Sequence, residues 1–332
     1  MGQKDKLLSA YINRESVMAD LYNGVLYEGR PVIFPRDLGD VQTFSREIFC
    51  AGNGKRRRVS RQRDAMKLLH RNGRFILLAA ENQDRANFRM PLRCAEYDVA
   101  EYLKQFRRLK MMHDRQKDLK TPEEILSGMT ASDRLIPVVT LVLYHGDGKW
   151  EAADRLNGIL DQGALDDPLQ ALLQDYHIRV VNLTDLDETR FQTNLRELIG
   201  LMKRRGDRKA FTAYLQENQE RFASMDADAY DMLCAMLGMR SLEINRERYR
   251  NKEDKLNMNT AFEEWGKMLK AEGKAEGRAS GEKIGRKHGE RIGEERLGRL
   301  MTLLLGEKRF KDAAAAAKSA RVRSKLYKEY GI

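Results

Sequence analysis

Several residue types are scarce in this chain of 332 residues, and each scarcity excludes a class of protein. The three cysteines, Cys50, Cys94 and Cys234, lie far apart, so they form neither a CxxC metal motif nor a disulfide framework. Only five histidines are present, and no two have the spacing of zinc ligands. No apolar run approaches the roughly 18 residues that a membrane span needs. We therefore expect a cytoplasmic protein with reduced cysteines and no membrane partner.

Charge is what the chain has in excess. Charged residues make up 33% of it and the net charge is +11, while the hydrophobic content of 42% is enough for a core. Basic residues are densest between Lys55 and Arg74, where nine Lys or Arg accompany the single acid Asp64. A basic excess suits a polyanion such as nucleic acid or an anionic membrane surface, although it also serves simple solubility.

Hydrophobic periodicity predicts an α/β region followed by helices. Apolar residues recur at helical spacing over 4–28 and from Pro91 to about Lys117. The segments DAMKLL and FILLAA flank the turn signal RNG and predict two strands of a hairpin. LIPVVTLVLY (135–144) and HIRVVNL (177–183) predict two more strands, and helices are predicted at about 187–205, 208–222 and 225–242. This order predicts an α/β domain at 1–185, a helical region at 186–245 and a charged helical tail at 246–332.

The tail contains glycine at every fourth position of a charged segment, a spacing that would place all of them near one side of a helix. Six glycines weaken an isolated helix by about 5–6 kcal/mol, so a single long exposed helix is not expected. Close packing against a second copy, giving a homo-oligomer through the tail, is one interpretation, and a flexible, partly helical linker is the other. The repeat consists of Gly273, Gly277, Gly281, Gly285, Gly289 and Gly293.

The predicted hairpin carries a candidate catalytic site. Asp64 begins the first strand, and Glu81 and Gln83 end the second, in ILLAAENQ. Residues two apart on a strand project from the same face, and a residue on the neighbouring strand can face them. Two carboxylates and an amide on one patch suit Mg²⁺ or Mn²⁺, which can polarise a phosphoryl oxygen and acidify bound water. From spacing alone, an acid at a strand end is more often a solvated loop residue.

The segment RDAMKLLHRNGRFILLAAENQDRANFRMPLRCAEYDVAEYLKQ and the later PVVTLVLYHGDGKW resemble the Rpn family of recombination-promoting nucleases, also described as YhgA-like putative transposases. That family belongs to the PD-(D/E)XK nuclease superfamily. The similarity covers about residues 4–200, and the glycine-charged tail is also typical of the family. It implies a nuclease-like mixed sheet flanked by helices, followed by an all-helical C-terminal region. The matching positions are Met90, Pro91, Arg93, Tyr97, Asp98, Tyr102, Gln105, Pro137, Tyr144, Gly146 and Trp150.

The resemblance implies a Mg²⁺-dependent DNA endonuclease of low sequence specificity. Asp64 and Glu81 would hold the metal, and Gln83 would stand where many superfamily members have a lysine that activates water. Because Gln carries no charge and cannot take a proton, it would only orient water or metal. Asp20 on the first helix would assist as an outer acid. The candidate DNA contacts are Lys55, Arg56, Arg57, Arg58, Arg61, Arg63, Arg93, Tyr97, Tyr102 and Gln105.

Two other functions remain open at this point. One is a DNA-binding protein with weak or no catalysis, and the other is an interaction protein that self-assembles through the tail. The basic cluster has the alternative interpretation of a solvated loop, and the residues of the helix after Pro91 that of helix packing. His70 and His145 are predicted to be surface or turn residues instead of catalytic bases.

Overall fold

The computed structural model describes residues 3–40, 44–50 and 56–332, and for 44–50 and 56–62 it describes only the backbone. Seven strands and thirteen α-helices lie within these ranges. In chain order they are α1 (Gln3–Ile12), α2 (Glu15–Leu26), β1 (Leu38–Asp40), β2 (Phe44–Cys50), β3 (Arg56–Gln62), β4 (Ala65–Arg71), β5 (Arg74–Gln83), α3 (Met90–Gln116), α4 (Pro122–Ser127), β6 (Val138–Tyr144), α5 (Asp167–Gln170), β7 (Arg179–Asn182), α6 (Leu195–Arg204), α7 (Arg208–Glu217), α8 (Gln219–Ala223), α9 (Ala227–Leu237), α10 (Arg240–Ile244), α11 (Met258–Gly306), α12 (Phe310–Lys318) and α13 (Ala320–Tyr330).

A five-stranded mixed sheet in the order β1-β4-β5-β6-β7 forms the centre of the protein. The pairs β1/β4 and β4/β5 are antiparallel, whereas β5/β6 and β6/β7 are parallel. The parallel pair β5/β6 requires a long crossover, and α3 supplies it. The predicted mixed α/β fold with a helical C-terminal region is thereby confirmed.

The hairpin β4–β5 forms as its turn residues predict. Asn72 and Gly73 have φ values of 52° and 72°, so both central residues lie in the left-handed region that a two-residue hairpin turn uses. The register pairs Ala65 with Ala80. Asp64 therefore lies immediately before the pair, and Glu81 immediately after it on the neighbouring strand.

Two local predictions were wrong. The helix expected over 4–28 is interrupted at Asn13–Arg14, where Arg14 is extended (φ −73°, ψ 138°) and starts α2 as its N-cap. The Asn13 side chain also accepts a hydrogen bond from the Met66 N–H at 3.3 Å, which ties this break to β4. The alternative interpretation of the basic cluster as a loop is wrong for its backbone, because residues 56–62 form β3, which pairs with β2 in a separate two-stranded sheet.

The helices after β7 belong to the same compact unit as the sheet. The chain divides into one unit that ends at Ala261 and a second unit, Phe262–Ile332, and the helices of residues 186–245 lie in the first unit. Asp20 of α2 helps to join them, because its carboxylate accepts hydrogen bonds from the backbone N–H groups of Gln192 (2.9 Å) and Thr193 (2.8 Å). Asp20 thus caps the segment before α6, and its role as an outer catalytic acid is not supported by these contacts.

The helix α11 is continuous from Met258 to Gly306, contrary to the expectation from its glycines, and all but its first four residues lie in the second unit. A Cβ atom built at any glycine from Gly273 to Gly293 meets nothing within 4 Å. Both ends of the helix are held by burial, through Met258 and Ala261 at the start and Leu300 and Leu304 near the end. Ion pairs at i and i+4, such as Arg291–Glu295 at 2.8 Å, add a few tenths of a kcal/mol each. Among the described residues, no helix has the length and apolar character needed to cross a membrane.

Candidate active site

Asp64 and Glu81 lie side by side at the end of the β4–β5 hairpin. The register places Glu81 opposite Val142, near the carboxyl end of the parallel strands β5 and β6. The Asp64 carboxylate accepts a hydrogen bond from the Asn82 backbone N–H at 2.7 Å. Glu81 is fully buried under the first turns of α3, from which Arg93 donates to Glu81 Oε2 at 3.1 Å.

Each of these two carboxylates keeps one buried oxygen without a hydrogen bond. Asp64 Oδ1 and Glu81 Oε1 are shielded from solvent, and no described residue donates to them. Burial raises the pKa of Asp64 to about 6, and burial followed by the charge of Asp64 raises the pKa of Glu81 to about 8. Two such oxygens on adjacent strands cost free energy unless a cation or a proton reaches them.

The donor set fits a hard divalent cation. Mg²⁺ is commonly held by one or two carboxylates, with its other positions filled by water and substrate phosphate. The described residues contain no cluster of three or more His, Cys, Asp or Glu that would form an all-protein metal cage. Asp64 Oδ1 and Glu81 Oε1 are the oxygens of this site that would serve as ligands to such a cation.

Arg93 and Tyr97 of α3 form the cationic side of the site. The Arg93 Nε donates to the Tyr97 hydroxyl at 3.2 Å, and the guanidinium carbon lies 5.4 Å from the centre of the Tyr97 ring. The Arg93 side chain keeps 23% of its surface exposed, while Glu81 beside it has none. A charged group on the solvent side of a buried carboxylate is placed to meet an incoming anion.

Arg63 takes a different position from the one that the sequence predicted. It is buried, with its guanidinium bonded to Asp98 of α3 and, at 2.8 Å, to the Thr140 hydroxyl of β6. Tyr176 donates to the other Asp98 oxygen at 2.5 Å. This network joins α3 to the sheet. Phosphate contact by Arg63 stays a prediction, and the burial of its side chain does not favour it.

The other predicted DNA contacts fall into two groups. The Tyr102 hydroxyl accepts from the Val138 N–H at 3.2 Å, and the Gln105 amide bonds both backbone groups of Ile136, so these side chains fasten α3 to the start of β6. Lys55 lies outside the described residues. The side chains that extend from the backbone of β3 lie outside them too, namely those of Arg56, Arg57, Arg58 and Arg61.

Asn82 and Gln83 follow Glu81 on β5, and their side chains make different contacts. The Gln83 amide donates to the Asn82 carbonyl at 2.6 Å, so its nitrogen is bonded to the backbone. Asn82 points to the opposite face of the sheet, where its amide donates to Ser9 of α1 at 2.9 Å. Asn82 was not among the predicted site residues, although it lies between two of them in the sequence.

Asp5 and His145 were also missed or misplaced. The charge of Asp5 on α1 contributes, after burial, to the raised pKa of Asp64. His145 is buried and not at the surface, with Nε2 at 3.6 Å from Asp5. The next residue, Gly146, also lies close to the end of β5, since a Cβ there would come within 2.2 Å of the Asp84 carbonyl. His70 is exposed as predicted, stacked on Phe75.

Together, the sheet and the site define a mixed α/β protein in which a half-buried Asp64 and a fully buried Glu81 lie at the ends of two neighbouring strands. A family model described as "Putative transposase, YhgA-like" matches residues 70–229, so this part of the chain is similar to that family. The match contains Glu81, Gln83 and Arg93, and it begins six residues after Asp64. No curated protein and no solved structure matches the chain.

Proposed function

We propose that this protein is a DNA endonuclease that hydrolyses phosphodiester bonds with Mg²⁺ or Mn²⁺ and has low sequence specificity. The proposal includes membership in the PD-(D/E)XK superfamily, which the resemblance implies. The observation that carries it is the pair of buried oxygens without hydrogen bonds, Asp64 Oδ1 and Glu81 Oε1, on adjacent strands.

The chain's own residues would bind and orient the reactants. Asp64 and Glu81 would hold the metal, which when bound supplies Lewis acidity and lowers the pKa of water. Arg93 would neutralise the phosphate that enters beside Glu81, since guanidinium groups bind phosphate oxygens through paired N–H donors. Gln83 would orient water by hydrogen bonding, because an amide cannot act as a base.

A second function, DNA binding with little or no cleavage, has an observation in its favour. Gln83 occupies the position of a water-activating lysine in related nucleases, and its amide nitrogen is bonded to the Asn82 carbonyl. The bond between Arg93 and Glu81 also stabilises the site without metal. Both features would slow hydrolysis, and neither would remove the cations predicted to contact DNA.

Nicking of supercoiled plasmid DNA by the full chain tests the proposal. With Mg²⁺ or Mn²⁺ we expect wild type to nick, and we expect Asp64→Asn and Glu81→Gln to lose about 100-fold or more of the rate, because each removes a charged metal ligand. EDTA should abolish nicking by wild type.

Glu101→Gln is the matched control for this experiment. Glu101 is a buried carboxylate on α3 that accepts a hydrogen bond from Lys104 at 3.2 Å, so the substitution repeats the chemical change outside the site. It should nick at close to the wild-type rate. Equal rates for wild type and Glu81→Gln would refute the site, while DNA binding without nicking by wild type would favour the second function.

A further inference from the structure

The second unit ends in a three-helix arrangement with its own core. Leu300 and Leu304 of α11 are fully buried against two shorter helices. The residues that complete this core come from α12 and α13 and from the end of the chain, and they are Ala313, Ala316, Leu326, Met301, Val322, Tyr327, Tyr330 and Ile332. Residues 300–332 thus present a defined surface whose outer side chains have fixed places on the helices.

The junction between α12 and α13 is short and held by hydrogen bonds. Ser319 alone separates the helices, and its side chain caps α13 by accepting from the Val322 N–H at 3.4 Å. Arg323 donates to the Ala316 and Ala317 carbonyls at 3.0 and 3.1 Å, which satisfies the end of α12. The orientation of α13 relative to α12 is therefore fixed by its inner face.

The outer face of α13 is basic, and we call it the basic face. Arg321, Lys325 and Lys328 are exposed at spacings of four and three, and Lys318 precedes them at a spacing of three. Within the residues that the structure describes, none of these four cations has an acidic partner. Ser324, also exposed, lies between them.

The acids of this segment are occupied elsewhere. Residues 307–332 contain eight Lys or Arg and three acids. Asp312 and Glu329 both bond Arg309, at 2.8 and 2.6 Å, and Glu307 accepts from the Tyr330 hydroxyl. The acids thus stabilise the inner contacts, and the positive charge is left on the outer face of α13.

We propose that α13 is a DNA-binding helix that places the basic face against the phosphates of duplex DNA. A helix with its side chains is about 10–12 Å across, which matches a major groove about 12 Å wide. From Arg321 to Lys328 the helix rises about 10 Å, so its three cations can reach more than one phosphate, and Lys318 lies at the end of α12 beside them. This site is separate from the carboxylate pair and does not depend on the proposed nuclease activity.

The experiment measures binding of the full chain to a fluorescent 30-base-pair duplex by anisotropy, in EDTA so that no cleavage occurs. The test variant is Arg321→Gln/Lys325→Gln/Lys328→Gln. The matched control, Lys270→Gln/Lys274→Gln/Arg278→Gln, removes the same charge from exposed positions of α11. Circular dichroism and the melting temperature verify that both variants are folded.

We expect the α13 variant to bind about tenfold or more weakly at 100 mM salt, and the slope of log K against log salt to become shallower by about 3. The control should change the affinity less than threefold. If the two variants lost equal DNA affinity, the loss would come from net charge alone and the proposal would be overturned. It would also be overturned if the α13 variant bound DNA as wild type does and lost binding to phosphatidylserine vesicles. Plasmid nicking is measured in a separate experiment. The DNA affinities can therefore be interpreted even if the protein has no nuclease activity.

Discussion

At the scale of single residues, the charge state of Glu81 connects stability to function. Its pKa is raised above the ordinary value of 4.5 to about 8, first by burial and then by the charge of Asp64. A raised pKa in the folded protein means that the folded state binds the proton more tightly than the unfolded chain does. The Glu81 charge therefore destabilises the fold as pH rises from about 4.5 to 8, unless a cation binds there.

Glu81→Gln should remove this pH-dependent cost. We expect the variant to gain free energy of unfolding relative to wild type as pH rises, by about 2–4 kcal/mol at pH 8.5 and little at pH 5. Addition of Mg²⁺ at pH 8.5 should stabilise wild type and leave the variant unchanged. Urea denaturation at the two pH values, with and without Mg²⁺, measures both effects. If the free energies of unfolding of wild type and Glu81→Gln changed with pH in parallel, Glu81 would not be a buried carboxyl with a raised pKa.

The sequence predicted the candidate site in part. Asp64 and Glu81 could be paired because a two-residue turn determines the register of a hairpin, and the resemblance pointed to the same residues. The bonds of Arg93 to Glu81 and of Arg63 to Asp98 could not be predicted, because they depend on how α3 packs against the sheet. The burial of His145 likewise depends on packing between the ends of β5 and β6.

At the scale of secondary structure elements, the strength of local signals decided which ones were predictable. β4, β5 and β6 have apolar runs with clear turn signals, and all three were expected. β3 was not, because RRRVSRQ has a single apolar residue and reads as a solvated loop. Its strand character depends on pairing with β2, for which no local pattern existed.

Helical glycines should respond to alanine in opposite directions in the two units. Gly24 of α2 has no room, since a Cβ there would lie 2.3 Å from the ring of the fully buried Phe191. Gly24→Ala should cost about 1–3 kcal/mol of unfolding free energy. Gly281→Ala places its Cβ in open space on α11 and should stabilise the helix by about 0.8–1 kcal/mol.

Thermal denaturation followed at 222 nm measures both substitutions, with wild type as the reference. A loss of helix signal in Gly281→Ala would show that the glycine stripe needs a close neighbour. That result would favour the prediction that the tail associates with a second copy.

At the scale of the whole molecule, two compact units carry two proposed tasks, cleavage in the first and DNA capture in the second. The first unit contains every residue of the candidate site and ends at Ala261. The second contains the basic face of α13. Linking two binding sites in one chain raises the effective concentration of DNA at the first without any new contact there.

A chain that ends at Gly266 separates these tasks. It keeps the buried residues Met258 and Ala261 and should fold with the sheet intact. We expect it to nick plasmid with an unchanged rate at saturating DNA, because Asp64, Glu81 and Arg93 are all present. Its apparent affinity for DNA should fall about tenfold or more, because the cations of α13 are gone. Sedimentation velocity on the same two proteins tests the predicted self-association, since only the full chain should then form a dimer. If nicking at saturating DNA is lost although the shortened chain is folded, the second unit must contribute to the reaction itself and the division of tasks is wrong.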